Sequence, residues 1–186
     1  MIVNTDPFKR FIEIWLYLML LLIILIVFVG GLTRLTDSGL SITEWELFKG
    51  IFPPLNNKMW IFYFDLYKQI PEYKEINYDM SLQEFKVIYY WEYGHRLIAR
   101  LIGLLSILPL IYLFFRFKNY RKKILKYFVI FSLICFQGLI GWYMVKSGLV
   151  NNTDVSHYRL ALHLTVALII LSIVFWFILQ NLEVQK

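Results

Sequence analysis

This chain has little charge, little cysteine and little proline for its length. Of its 186 residues, 17% are charged, five are proline and one is cysteine. Cys135 stands alone inside an apolar run, so an intrachain disulfide and a cysteine-based metal site are excluded, and the redox compartment cannot be read from it. With 59% hydrophobic residues and a mean hydropathy of +0.60, the composition excludes an ordinary soluble domain. The sequence therefore predicts an integral membrane protein.

The net charge of +6 does not indicate nucleic acid as a partner. The basic residues stand next to apolar runs, where they set the orientation of a protein in the lipid bilayer. No small-residue cleavage pattern follows the first apolar run, so we expect no cleavable signal.

Four apolar runs predict an all-α integral membrane four-helix bundle that forms a single membrane domain over residues 1–186. The expected spans are residues 14–32, 94–115, 127–145 and 159–179. The shortest runs have about nineteen residues, which at ~1.5 Å each cover the roughly 30 Å hydrocarbon layer. Gly30 and Gly31 are expected to end the first span, and Pro109 to kink the second.

The segment between the first two spans, residues 33–93, is expected to form a large extracytoplasmic cap. It holds six basic and nine acidic residues and many aromatic ones, which favour a membrane interface. Ser81 followed by Glu84 has the capping-box form and predicts a short helix over residues 81–90. The connection 116–126 holds six basic residues and no acidic one, so the positive-inside rule places it in the cytoplasm, in agreement with Lys9 and Arg10.

A weak internal repeat divides the chain into two hairpins. The first span exits through D-S-G-L at residues 37–40, and the third exits through K-S-G-L at residues 146–149. After each comes an outer loop and then a span with Arg and His near its start. This pattern predicts two helical hairpins of one design, the first enlarged by the cap.

The candidate site is a set of ionisable residues at the outer ends of the second and fourth spans. On a helix, Glu92, His95 and Arg96 project from one face, and His163 lies about one turn inside the fourth span. Two imidazoles on facing helices are a usual way to hold a haem iron in a membrane. Arg96, Arg100 and Arg159 lie at the same level and suit the two propionates of a porphyrin.

Three alternatives to this haem site concern the arginines, the metal and the choice of histidine. The arginines can snorkel to headgroups while Glu92 and His95 sit in the interface. Zinc is the rival metal, although two histidines and one glutamate without cysteine fit haem better. His157 is a third candidate ligand, but we expect it to be a solvated residue of the outer loop.

Long ordered motifs resemble one known family. They are G-G-L-T-R-L-T-D-S-G-L-S-I at 30–42, P-P at 53–54, P-E-Y at 71–73, E-F-K at 84–86, E-Y-G-H-R at 92–96, Q-G-L-I-G-W-Y-M-V-K-S-G-L at 137–149 and V-S-H-Y-R-L-A-L-H at 155–163. Together they cover nearly the whole chain, which resembles haem A synthase of the alphaproteobacterial and mitochondrial type.

The resemblance implies an oxidoreductase that oxidises a methyl group of haem O to formyl, giving haem A for cytochrome c oxidase. Glu92, His95 and His163 then belong to the substrate-haem site, with Glu92 stabilising positive charge or moving a proton. The full-length family has eight spans in two halves, and its second half carries a b-type haem. This chain has four spans, so it is expected either to be a truncated or split gene product or to assemble with a second half-chain or with further copies of itself. Haem O synthase and the biogenesis of cytochrome c oxidase are further partners that the resemblance implies.

Two other classes of function stay open. One is a membrane haem-binding or oxidase assembly protein without turnover, and the other is a structural membrane subunit, which the ionisable cluster disfavours. The expected location is the cell inner membrane, or the mitochondrial inner membrane if the protein is organellar.

Overall fold

The computed structural model describes residues 7–46, 49–116, 121–151 and 153–183, and over these residues the chain is helical and contains no strand. The helices are α1 (Pro7–Leu35), α2 (Asn57–Tyr67), α3 (Pro71–Glu75), α4 (Leu82–Ser106), α5 (Leu108–Arg116), α6 (Arg121–Asn151) and α7 (His157–Glu183), with a 3-10 turn at Lys49–Ile51. Four stretches are long and apolar enough to cross a membrane: Pro7–Leu35, Leu82–Phe115, Ile124–Val150 and His157–Leu182. The predicted all-α membrane class is confirmed.

The helices extend beyond the apolar runs that predict them. The expectation that Gly30 and Gly31 end the first span is wrong, because α1 continues to Leu35. The predicted short helix over residues 81–90 and the second span are one helix, α4, which passes through Gly94 without a break. No proline or turn sequence stands between them, so the helix starts inside the predicted cap, and its capping box forms as expected.

Two further boundaries differ from the prediction. Helix α6 begins at Arg121, so part of the basic connection 116–126 is helical, and its residues 117–120 lie outside the described residues. His157 is the first residue of α7 rather than a loop residue, although its side chain is exposed as expected. The chain turns directly after α1, and Asp37 adopts a left-handed φ of 47° there, which Asp tolerates better than most residues.

The predicted kink at Pro109 is a break between α4 and α5. Pro109 has no N–H to donate to the carbonyl of Leu105 four residues earlier, so the α-helical pattern stops at Ser106. The indole nitrogen of Trp15 in α1 instead donates to Leu105 O at 2.8 Å. A side chain of the neighbouring helix thus satisfies the carbonyl that the proline leaves without its usual partner.

The four spanning segments form a ring, because α1 packs on α4 and α7 while α6 packs on α7 and α4. Their shared core is apolar and includes Trp15, Leu16, Met19, Ile102, Ile130, Ile170 and Val174. On α7 the buried residues recur every four positions, at Val166, Ile170, Val174 and Ile178, which is the stripe expected of a helix with one face in a bundle.

The predicted cap, residues 33–93, has its own core of aromatic side chains. Trp60 and Phe64 of α2 pack on Phe85 and Tyr89 of α4. Beneath them Glu72, which is 4% exposed, accepts a hydrogen bond of 2.9 Å from the hydroxyl of Tyr67. Burial raises the pKa of Glu72 from 4.5 to about 7, although the hydrogen bond from Tyr67 opposes the rise.

Candidate functional site

His95 lies on α4 and places its ring against α1. A Cβ added to Gly30 of α1 would stand 3.2 Å from the Nε2 atom of His95 and 3.4 Å from its Cδ2 atom. The absence of a side chain at Gly30 therefore makes room for the imidazole. Gly31, the next residue, has no atom within 4 Å of such a Cβ, so the close approach is specific to Gly30.

His163 has the same arrangement on the other side of the ring of helices. It lies on α7, and a Cβ added to Gly141 of α6 would stand 2.9 Å from its Cε1 atom and 3.6 Å from each ring nitrogen. One turn along the same face of α6, the amide nitrogen of Gln137 donates to the backbone carbonyl of His163 at 2.8 Å. Helix α6 thus holds both the ring and the backbone of His163.

The two imidazoles lie on different helices of the bundle, and each rests against a glycine of a neighbouring helix. The Nδ1 atom of His163 is buried and has no hydrogen-bond partner among the described residues. An imidazole in an apolar bundle of helices fits a ligand of a haem iron. Over the same described residues, no three His, Cys, Asp or Glu side chains come together in a metal cluster.

Glu92 is buried and is tied to its surroundings by four hydrogen bonds. Its Oε2 atom accepts from Ser41 Oγ and from Ile42 N, both at 2.8 Å. Its Oε1 atom accepts from Arg96 Nε at 3.0 Å and from Arg96 Nη2 at 2.6 Å. With Glu92 only 4% exposed, this is an enclosed ion pair rather than the surface pair that helix spacing alone suggests.

The arginines on α4 hold the loop that follows α1. Arg96 donates to the carbonyls of Ile42 and Glu44, at 2.9 and 3.3 Å, and Arg100 donates to the carbonyl of Glu46 at 2.9 Å. The loop is therefore drawn across the outer part of α4. These contacts are made to backbone oxygens, so a propionate would have to share the two guanidinium groups with the loop.

Two other contacts complete this end of the bundle. Arg159 of α7 lies over the ring of Tyr143 of α6, 4.9 Å from its centroid, which is a cation–π distance. Trp45 of the loop meets Trp142 of α6 edge to face, with ring centroids 6.4 Å apart. Arg159 thus stands beside α6, and the loop reaches from α4 to the same helix.

Sequence reasoning named the histidines and Glu92 but missed Ser41 as a partner of the carboxylate. Nothing in the spacing of residues 41 and 92 indicates a contact across 51 positions. The signal that was present is the polar D-S-G-L-S motif at residues 37–41, which ends next to Ile42. In the sequence, Gln137 and Gly141 stand out only as a polar and a small residue inside the third apolar run, which suit close helix contacts.

Comparison with known proteins gives one consistent result. Residues 13–186 match the family described as cytochrome oxidase assembly protein, COX15-CtaA. A protein of Pelagibacter ubique named Heme A synthase is 57% identical over 186 residues, which is 100% of this chain and 55% of that protein. Proteins with the same name from Rickettsia bellii (49% identical; 90% of this chain, 50% of the relative) and Agrobacterium fabrum (50% identical; 94% and 48%) also match.

The chain thus spans about half the length of the curated relatives that it matches. No solved structure matches it.

Proposed function

Because the chain belongs to the COX15-CtaA family of cytochrome oxidase assembly proteins, we propose that it forms the amino-terminal half of a haem A synthase. In this role it binds haem O in the membrane as substrate and takes part in oxidising one methyl group to formyl. The observation that carries the proposal is the pair His95 and His163, which lie on different helices of the bundle and each face a glycine of a neighbouring helix.

The two histidines would hold the iron of the substrate, which supplies the redox chemistry when bound. Each ring has a restricted position, because Gly30 and Gly141 admit it and the neighbouring helix limits its movement. The break between α4 and α5 and the apolar core lie further along the bundle from this site. The porphyrin would therefore enter an environment of low polarity near the ends of the helices that carry the cap.

Arg96, Arg100 and Arg159 would balance the two propionates of the porphyrin. Arg96 and Arg100 also donate to the loop, and we propose that they hold it over the site and restrict the entry of water. Arg159 stands beside α6, next to Tyr143, at the outer end of α7. Glu92, one turn before His95, would place a negative charge where it stabilises positive charge that develops at the oxidised methyl carbon.

The test of the haem site is His163→Ala in the purified chain. We expect it to lose the low-spin spectrum of bound haem, and His95→Ala to do the same. His157→Ala is the control, because its side chain is exposed at the start of α7. Unchanged spectra in both single variants would remove the site. Extraction with acidic acetone followed by mass measurement would identify the haem that the chain carries.

A carrier or oxidase assembly protein without turnover is the second candidate function. The observation that favours it is the state of the Glu92 carboxylate, which already accepts four hydrogen bonds from the protein and so has a structural task. Glu92→Gln in an assembly with all eight spans separates the two. Retained haem without formation of haem A supports the enzyme, whereas a normal yield of haem A removes Glu92 from the chemistry.

The proposed surroundings follow from the same relationship. The four spanning helices make this a multi-pass membrane protein, and we propose the cell inner membrane or its mitochondrial equivalent as the location. The relatives are about twice as long, so we propose that a second set of four helices, carrying a haem b, completes the enzyme. Haem O synthase and cytochrome c oxidase biogenesis remain proposed partners.

A further inference from the structure

Two buried polar atoms at the contact between α6 and α7 have no hydrogen-bond partner among the described residues, and they belong to neighbouring side chains. They are the Oε1 atom of Gln137, which can only accept a hydrogen bond, and the Nδ1 atom of His163, which can donate one when it carries a proton. A buried donor and a buried acceptor left without partners are costly, and native structures rarely keep them so.

A hydrogen bond already joins the side-chain amide of Gln137 to the backbone of His163. Its Nε2 atom donates to the carbonyl of His163 at 2.8 Å, so the amide oxygen, on the same planar group, is positioned beside that residue. Gln137 and Gly141 stand four residues apart on α6 and therefore share the face that meets α7. Gly141 receives the Cε1 edge of the imidazole, with one ring nitrogen on either side of that edge.

We propose that Gln137 positions His163 by accepting the proton of its Nδ1 atom, which leaves Nε2 as the nitrogen that meets the iron of a haem. A hydrogen bond to the outer nitrogen fixes the tautomer and the orientation of a ligating imidazole and makes it a stronger ligand. A hydrogen bond between the two would satisfy both buried atoms at once. This inference rests on the proposed haem site and adds to it a residue that does not touch the haem.

The test uses the full chain purified in detergent, with iron protoporphyrin IX as the probe. Gln137→Leu removes the acceptor, and we expect haem affinity to fall about 10-fold or more, the usual effect of losing such a partner. Gln137→Glu keeps the shape and provides a stronger acceptor, so it should retain affinity and lower the reduction potential of the bound haem. Gln180→Leu is the matched control, because Gln180 lies on α7 and bonds only to Lys126 in the described contacts, at 3.0 Å.

The glutamate variant distinguishes this role from a merely structural one. If Gln137 only joins the helices through its N–H group, a glutamate that lacks this group should behave like leucine and leave the potential unchanged. That result would overturn the inference, as would unchanged affinity in Gln137→Leu together with an unchanged potential in Gln137→Glu. If the leucine variant does not fold, the isosteric glutamate still decides through the potential.

His163→Ala separates a failure of this inference from a failure of the proposed function. Haem binding that survives His163→Ala would remove the haem site and, with it, the role of Gln137. If haem binding is lost in His163→Ala, but neither Gln137 variant changes the haem affinity or the reduction potential, only the role of Gln137 is removed.

Discussion

Replacing Gly141 with alanine adds one methyl group at the point where α6 meets the ring of His163. The new Cβ would stand 2.9 Å from Cε1, closer than carbon atoms approach without strain, so the imidazole must move by several tenths of an ångström. Overpacking of this kind typically costs about 1–3 kcal/mol. Because metal–ligand distances vary by only about 0.2 Å, a ring held to an iron cannot accommodate that movement as a free ring can.

We therefore expect Gly141→Ala to weaken haem binding more than it weakens the fold. A strain of about 1–3 kcal/mol that acts mainly in the bound state corresponds to roughly 5- to 150-fold in affinity. Alanine also favours a helix over glycine by about 1 kcal/mol, which offsets part of the strain in the free protein. Spectroscopic titration with haem and thermal melting of the free protein measure the two effects separately.

Gly138→Ala is the matched control on the same helix, since its added Cβ would meet no atom within 4 Å. It should bind haem normally and melt at the same or a slightly higher temperature. The second pair repeats the design on α1, where Gly30→Ala meets His95 at 3.2 Å and Gly31→Ala meets nothing. Equal haem affinity in Gly141→Ala and Gly138→Ala would refute the reasoning, because the contact that distinguishes them would have no effect.

Three other predictions concern the cap, the ion pair and the topology. Because the pKa of Glu72 is raised, the folded cap binds the proton of this carboxyl more tightly than the unfolded chain does. The protonated carboxyl therefore stabilises the folded cap by about 3 kcal/mol below pH 4.5, and this stabilisation is lost as the pH rises through about 7. Melting from pH 4 to pH 8 should show the loss in the wild type and not in Glu72→Gln, and parallel curves would contradict it. Glu92→Gln should lower the free energy of unfolding by about 3–5 kcal/mol, because Arg96 would stay buried without its counter-charge. A change of about 0.5 kcal/mol, as for a surface pair, would contradict the enclosed geometry. In a Cys135→Ser background, cysteines at Lys74 and Lys122 should react with an impermeant reagent from opposite sides of the membrane, and labelling from one side would reverse the proposed orientation.

Apolar periodicity predicts the spanning helices but not their ends, for a physical reason. A run of apolar residues reports where the chain crosses hydrocarbon, whereas a helix continues into the interface until a proline, a turn or a lost hydrogen bond ends it. Helix α4 therefore begins at the capping box of Ser81, thirteen residues before the apolar stretch that predicts it, and runs through Gly94. Pro109 was a reliable signal because its missing N–H acts locally.

In the candidate site, too, contacts within one helix could be predicted from the sequence, whereas contacts between distant segments could not. His95 and Glu92 stand three residues apart on one helix, so their shared face could be predicted from the sequence. The contact of Ser41 with Glu92 spans 51 positions and depends on how the loop after α1 folds back, which no spacing encodes. The role of the glycines could not be predicted either, because a glycine in a helix is informative only when the side chain that fills its space is known.

The weak repeat in the sequence acquires a physical meaning from these contacts. In each hairpin the first spanning helix supplies a glycine, Gly30 in α1 and Gly141 in α6. The second spanning helix, α4 or α7, supplies the histidine that packs on this glycine. The pairing α1 with α4 and α6 with α7 therefore places one imidazole in each half, and the contacts of α1 with α7 and of α4 with α6 close the ring between them. The halves differ where the cap is inserted. On the helix that carries His95, Glu92 and Arg96 bind the loop, whereas the carbonyl of His163 accepts from the amide of Gln137. One hairpin design thus yields two similar histidines in unequal surroundings. In the proposed haem site, charge would act on one side of the porphyrin, while the other side would serve mainly to hold it.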